Sequence, residues 1–241
     1  MGLTSTRVLG VRVDCLDTGG ALVEVERMLE GPRFHQVATV NPEFVMRARR
    51  DSAFAAALEA ADLCLADGWG VLWAARRQGC RLPDRVTGVD LIPRLAELCA
   101  RRGFSVCLVG AREGVAAETA RRLVRDHPGL VVAATHAGSP RPEDDAETLR
   151  LLAAAKPDLL LVAYGAPNQE IWIARLRDRL PVRVAIGVGG AFDFIAGRVP
   201  RAPGWMRRAG FEWLYRLARE PWRARRMAVL PVYALHVLRN R

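Results

Sequence analysis

Residues 159–188 read LLLVAYGAPNQEIWIARLRDRLPVRVAIGV. Two largely apolar runs, LLLVA and VRVAIGV, flank a segment whose apolar residues recur at helical spacing. A strand that is apolar at every position needs cover on both faces, the condition of a parallel sheet between helices. The alternation extends outward from this stretch. Strand-length runs at 8–13, 36–40, 62–65, 104–109 and 130–134 trade places with helix-period segments at 20–29, 42–60, 69–77, 89–102, 115–125 and 144–155. Residues 168–180 are the helix inside the opening stretch. The expected fold class is α/β, a Rossmann-like, mostly parallel sheet with flanking helices. No internal repeat or low-complexity segment interrupts it, and residues 138–142 form the one clear Pro-rich loop.

With 241 residues, 51% of them hydrophobic, the chain can bury a full core. Its charge is unevenly spread. From Arg198 onward there are 11 arginines against two acids, so this end carries +9 of the net +10, together with three of the six tryptophans. Residues 1–197 are therefore expected to form the α/β body, and 198–241 a basic, aromatic, helical C-terminal appendage. Arginines interleaved with Trp, Tyr and Leu suit an anionic membrane surface, where each basic side chain contributes about 1 kcal/mol and aromatic rings sit at headgroup level. The apolar run 227–238 is too short to span a bilayer, so it is expected to lie in the interface or pack on the body. No other segment is long enough to span, and the N-terminal residues lack the apolar run of a signal peptide. Five cysteines without a Cys-x-x-Cys pair predict a reduced, cytosolic protein with buried thiols.

In parallel sheets ligands bind beyond the carboxyl ends of the strands. The residues there are polar and glycine-rich: Asn41, Pro42 and Glu43; Asp67 and Gly68; Gly110 and Ala111; Gly165 to Glu170; Gly189, Gly190, Phe192 and Asp193. Familiar phosphate motifs do not fit. The single lysine, Lys156, precedes Pro157, which excludes a P-loop, and neither Gly187–Gly189 nor Gly110–Gly114 completes a dinucleotide fingerprint. The scattered histidines and cysteines form no zinc pattern, and there is no Asp-x-Asp. Asp67 follows a buried-looking strand and can serve as a general base, or as the N-cap of the helix after it. Thr39 and Asn41 can orient a polyol or cap the helix that Pro42 starts. Asn168 and Gln169 also suit a helix start, and Asp193 can close a turn.

Taken together, the motifs resemble the WecG/TagA/CpsF family of bacterial glycosyltransferases. The matching pieces, in family order over about residues 10–230, are TVNPE from Thr39, ADG from Ala66, RVTGVD from Arg85, GAPNQE from Gly165 and GVGGAFD from Gly187. RAP from Arg201, GFEWLYRL from Gly210 and EPWRARR from Glu220 complete the series. Where family members tend to place Gly-Tyr-aromatic after the central strand, this chain has His136-Ala-Gly-Ser-Pro140.

The resemblance implies an inverting transferase. It moves a hexose, N-acetylmannosamine or a related sugar, from a UDP donor to a polyprenyl-diphosphate-linked sugar acceptor in cell-envelope polysaccharide or teichoic acid synthesis. It implies no metal and no cofactor, and a place at the cytoplasmic face of the cell membrane. Asp67 becomes the base that deprotonates the acceptor hydroxyl, with Thr39, Asn41 and Gln169 positioning acceptor or donor. Gly110, Gly165 and Asp193 line the nucleotide side, and Arg216, Arg223 and Arg226 in the tail contact the diphosphate once the tail docks as a mobile lid. Pro221 predicts two short helices meeting near Glu220. The partners implied are the UDP-sugar, the lipid-linked acceptor and an anionic membrane, with a homo-oligomer possible and no nucleic acid. The competing reading is a non-enzymatic module that binds anionic lipid or nucleic acid through the Arg-rich tail. A nicotinamide enzyme is disfavoured by the glycine pattern.

Overall fold

The computed structural model describes residues 3–80, 82, 84–219, 221 and 224–239. The described chain opens with an antiparallel hairpin, β1 (Ser5–Val8) and β2 (Val11–Asp14), followed by helix α1 (Thr18–Glu30). Six strands form the main sheet: β3 (His35–Val40), β4 (Leu63–Ala66), β5 (Ser105–Gly110), β6 (Val131–His136), β7 (Leu159–Ala163) and β8 (Val184–Gly187). Their order is β4-β3-β8-β7-β5-β6, and every neighbouring pair is parallel. Helices α2 (Pro42–Ala48) and α3 (Ser52–Glu59) follow β3, and α4 (Trp69–Arg77) and α5 (Gly88–Arg102) follow β4. The later crossovers carry α6 (Val115–Asp126), α7 (Asp145–Ala155) and α8 (Asn168–Arg175), and α9 (Ala191–Ile195) follows β8. Four helical segments come last: α10 (Gly204–Arg208), α11 (Glu212–Arg219), α12 (Ala224–Met227) and α13 (Val229–Arg239).

The expected parallel α/β sheet is present, and strand periodicity sorts its core. Val37, Leu63, Leu65, Val106, Leu108, Leu159, Leu161, Val184 and Ile186 face one layer, with residues of α1, α5, α6 and α9. Their neighbours Ala38, Val40, Cys64, Ala66, Cys107, Val109, Leu160, Val162 and Ala185 face the other, against α2, α3, α4 and α8. Each aliphatic side chain so buried contributes roughly 1.5–3 kcal/mol, which explains why the runs are dominated by apolar residues. The cover on the second face includes the C-terminal helix. Tyr233 and Val237 of α13 are buried among α2 and α4, and the Tyr233 hydroxyl donates to the Gly70 carbonyl at 3.1 Å.

Three local expectations are corrected. Residues 8–13 are not one strand: Leu9 and Gly10, at φ 50° and 95°, turn the chain into a hairpin outside the main sheet. The single helix at 42–60 breaks after Ala48, because the Asp51 carboxylate accepts from the Phe54 amide at 3.0 Å and caps a new helix. Helix α8 ends at Arg175 rather than Leu180. The reading of all five cysteines as thiols is also corrected. Cys15 and Cys80 are disulfide-bonded, tying the end of the hairpin to the turn after α4, whereas Cys64, Cys99 and Cys107 are buried thiols that burial pushes up to about 12. Among the described residues no helix is long and apolar enough to cross a membrane.

Candidate functional site

The chain leaves β3 outward to β4, crosses to β5 and β6, and returns inward through β7 to β8, which pairs with β3. The strand-end loops therefore diverge around β3 and β8, the place where parallel sheets open a crevice. A cavity of about 500 Å³ lies there. Thr39, Asn41, Asp67, Gly165, Gln169 and Gly189 all line it, so four separated motifs meet in one site. The lining also includes apolar and aromatic residues, Trp69 and Trp73 from α4, and Met227, Leu230, Tyr233 and Ala234 from the last two helices.

Each polar residue is held by its strand end. Thr39 is buried near the end of β3 and its hydroxyl donates to the Gly187 carbonyl of β8 at 3.2 Å. Asn41 is the N-cap of α2, its side-chain oxygen accepting from the Phe44 amide at 3.1 Å, so the capping role and a place in the cleft coexist. Asp67 follows β4, and its amide donates to the Val40 carbonyl at 2.8 Å. The N-cap of α4 is not Asp67 but Gly68, whose φ of 90° suits glycine. Gln169, 1% exposed, does not start its helix by capping. Its side-chain oxygen accepts from the Gly165 and Gly189 amides, both at 3.0 Å, and its Nε2 donates to Glu170 Oε1 at 2.7 Å. Burial pushes the Glu170 carboxyl up to about 8.

A second set of charges closes the rim. Thr87 caps α5 and donates to the Asp90 carboxylate, which Arg201 grips with both guanidinium nitrogens. Arg201 reaches Glu212 at 3.6 Å, and Glu212 meets Arg85 at 3.4 Å. Burial alone would raise Asp90, but the hydrogen bonds from Arg201 and Thr87 win and hold it below the usual carboxylate range. Arg85 and Trp69 Nε1 each donate to the Arg207 carbonyl at 3.2 Å. Sequence reasoning quoted RVTGVD, RAP and GFEW but assigned no site role to Arg85, Thr87, Asp90, Arg201 or Glu212. Their opposite charges, recurring on either side of the body, were the available signal.

The three residues read as the nucleotide side do not share one wall. Gly165 lines the cleft that holds Asp67. Asp193 lines a neighbouring cavity of about 600 Å³ with Arg112, Arg141, Ser139 and Tyr164, and Arg112 lies 3.9 Å from its carboxylate. Phe194, the next residue on α9, lines the Asp67 cleft, so that short helix stands between the two spaces. Gly110 lines neither. It ends β5 at φ 103°, and a Cβ there would come within 2.6 Å of the Ala163 backbone, so its glycine is explained by strand packing beside the second cavity. Of the tail arginines, Arg223 lies outside the described residues, as do the side chains of Arg216 and Arg226. Described helix ends at Arg219 and resumes at Ala224, either side of the expected joint. Among the described residues no cluster of three His, Cys, Asp or Glu side chains is placed to hold a metal ion.

Two curated relatives carry the same printed name, N-acetylglucosaminyldiphosphoundecaprenol N-acetyl-beta-D-mannosaminyltransferase. The protein from Bacillus spizizenii is 38% identical over 204 residues, and that from Bacillus subtilis 36% identical over 204; each alignment covers 85% of this chain and 79% of the relative. The profile of the WecG/TagA/CpsF glycosyl transferases matches residues 6–241, a span that takes in every strand-end motif lining the cleft and the Arg201–Glu212 segment beside it. With that match and those relatives, the chain belongs to the Glycosyl transferase WecG/TagA/CpsF family.

Proposed function

We propose that the protein transfers N-acetylmannosamine from a UDP donor, with inversion, to the sugar of a polyprenyl-diphosphate-linked acceptor in building a cell-envelope polysaccharide or teichoic acid. The observation that carries this reading is the meeting of Asp67, Thr39, Asn41 and Gln169 in one cleft that is also lined by aromatic and apolar side chains. Both similar relatives are named for a β-mannosaminyl transfer onto N-acetylglucosaminyldiphosphoundecaprenol. A cleft lined by both polar and apolar side chains matches such an acceptor, whose sugar is polar and whose tail is a hydrocarbon.

In this reading Asp67 takes the proton of the acceptor hydroxyl as that oxygen bonds to the anomeric carbon of the donor. The bond from that carbon to the UDP oxygen breaks, and UDP leaves with the electron pair. A single displacement inverts the anomeric centre. Thr39, Asn41 and Gln169 fix the two sugars, Asn41 through the amide nitrogen that its capping bond does not use. UDP extends past α9 toward Asp193, with Gly110 shaping that side and Gly165 where the sugar meets it. Its developing charge is met by Arg216, Arg223 and Arg226, which act where fixed charge lowers the barrier most.

The appendage, residues 198–241, binds the cytoplasmic face of the membrane as a peripheral contact. Trp205, Phe211, Trp213, Leu214, Val232, Leu235 and Leu238 are exposed on it, and arginine dominates its charge. The reaction is tested by incubating the protein with UDP-N-acetylmannosamine and a lipid-diphosphate-N-acetylglucosamine acceptor in detergent or lipid, and reading UDP release and product mass. A folded protein that releases no UDP with any UDP-sugar would overturn the reading.

A further inference from the structure

We propose that Glu170 is a positioning residue for this transfer, acting through Gln169 to hold the Gly165 and Gly189 loops that floor the cleft. The inference rests on the proposed function for its chemistry and on hydrogen-bond geometry for its mechanism. Glu170 is fully buried in α8 and its Oε1 accepts from Gln169 Nε2 at 2.7 Å. That bond fixes which way the carboxamide faces, so the Gln169 oxygen points at both glycine amides, 3.0 Å from each. One side chain thereby ties the loop after β7 to the loop after β8.

Two neighbouring features belong to the same relay. Gly187 leaves the space it needs, since a Cβ there would come within 2.5 Å of Glu170 Oε1 and 2.7 Å of Gln169 Nε2. The Gly187 carbonyl in turn accepts from Thr39, so β3 is drawn into the arrangement. Gln36 Nε2 donates to the Glu170 carbonyl at 3.2 Å and anchors the start of the relay from below. An acid that burial keeps protonated at neutral pH suits this place better than a carboxylate, whose charge would have no counter-ion there. The transferred sugar lies over this floor, whereas the nucleotide extends toward Asp193. Loosening the relay is therefore expected to affect turnover more than UDP affinity.

Three variants test the relay: Glu170→Gln, which keeps the acceptor oxygen, Glu170→Leu, which removes it, and Gly187→Ala, which crowds the pair from β8. Amide hydrogen exchange is followed at Gly165 and Gly189, with kcat for UDP-N-acetylmannosamine and the Kd of UDP alongside. Loss of a buried hydrogen-bond partner predicts that Glu170→Leu and Gly187→Ala speed exchange at those two amides and lower kcat, each by about tenfold or more. UDP affinity stays within about threefold, and Glu170→Gln keeps kcat within about threefold of the parent. Unchanged exchange at both glycines in Glu170→Leu, or in Gly187→Ala if the leucine variant does not fold, would overturn the relay whether or not transfer is observed. Loss of kcat, UDP affinity and melting temperature together would reduce Glu170 to a packing residue. No turnover by the parent protein, with exchange responding as expected, would sink the proposed reaction and leave the relay standing.

Discussion

The rim of the sheet and the C-terminal helices wall the same cleft but are ordered by different means. At the rim, Thr39 and Gln169 are buried and hydrogen-bonded to backbone at strand ends, and buried Glu170 accepts from Gln169, so their placement follows from the fold. The helices from Gly204 onward meet the body through scattered contacts: Arg201 with Asp90 and Glu212, Arg85 with Glu212, Trp69 with the Arg207 carbonyl, and Tyr233 with Gly70. Meanwhile Trp205 is 61% exposed and Leu238 53%. The rim is finished when the body folds, whereas the helical wall leaves apolar surface that a lipid boundary would cover. Chemistry and access to the acceptor are therefore separable by mutation.

The largest separation is expected at Asp67. Asp67→Asn should cut kcat by about 10²–10⁴-fold, the usual contribution of a positioned base, with UDP affinity and melting unchanged. Full activity in that variant would remove Asp67 from the chemistry. Next comes the Cys15–Cys80 disulfide, which closes a loop of 65 residues and in the chain-entropy view contributes up to about 4 kcal/mol. Cys80→Ser should lower the free energy of unfolding by a large part of that and leave kcat intact, because the bond sits at the C-terminal end of α4, away from Asp67. Denaturant melts of the two proteins decide it, and equal midpoints would mean the bond contributes nothing. A smaller effect is expected on the other side of the comparison. Trp205→Ser combined with Leu238→Ser should weaken binding to anionic vesicles by roughly tenfold or more, from the apolar area lost, while turnover of a short-chain, water-soluble acceptor is retained. Vesicle binding that ignores both changes would place the membrane contact elsewhere.

The same division explains what the sequence revealed. Runs such as LLLVA are legible because burial on both faces forbids polar residues, and strand-end glycines and carboxylates stand out against them. Thus Asp67, Thr39, Asn41 and Gln169 stand out in the sequence, and all four line the cleft. Partners were less legible than positions. Nothing in GAPNQE says that the Gln169 oxygen serves two glycine amides or that its neighbour supplies the acceptor for its nitrogen, since both depend on β8, whose Gly189 lies 20 residues further along the chain. The hairpin was read as one strand because apolar content does not show a turn at Leu9. The disulfide was missed because it joins residues 65 apart whose proximity only the fold creates. Arg201 and Asp90, separated by 111 residues, escaped for the same reason.

The smallest effect concerns the protonation of the rim itself. Burial raises Glu170 to about 8 from the 4.5 of a free glutamic acid. Between those values the native state holds a proton that the unfolded chain has released, so stability falls as pH rises across that interval. The contribution is fully present below about pH 4.5 and is lost as pH passes through about 8. Glu170→Gln has no such proton to lose. The parent protein should therefore lose melting temperature relative to Glu170→Gln as pH is raised from about 5 to about 8.5, with the difference levelling off beyond that. The Asp67→Asn protein should follow the parent, because its change lies in the cleft and not in the buried relay. Parallel melting curves for the parent and Glu170→Gln over the whole range would mean that Glu170 ionises as freely as a surface acid, and that water reaches the rim from beneath.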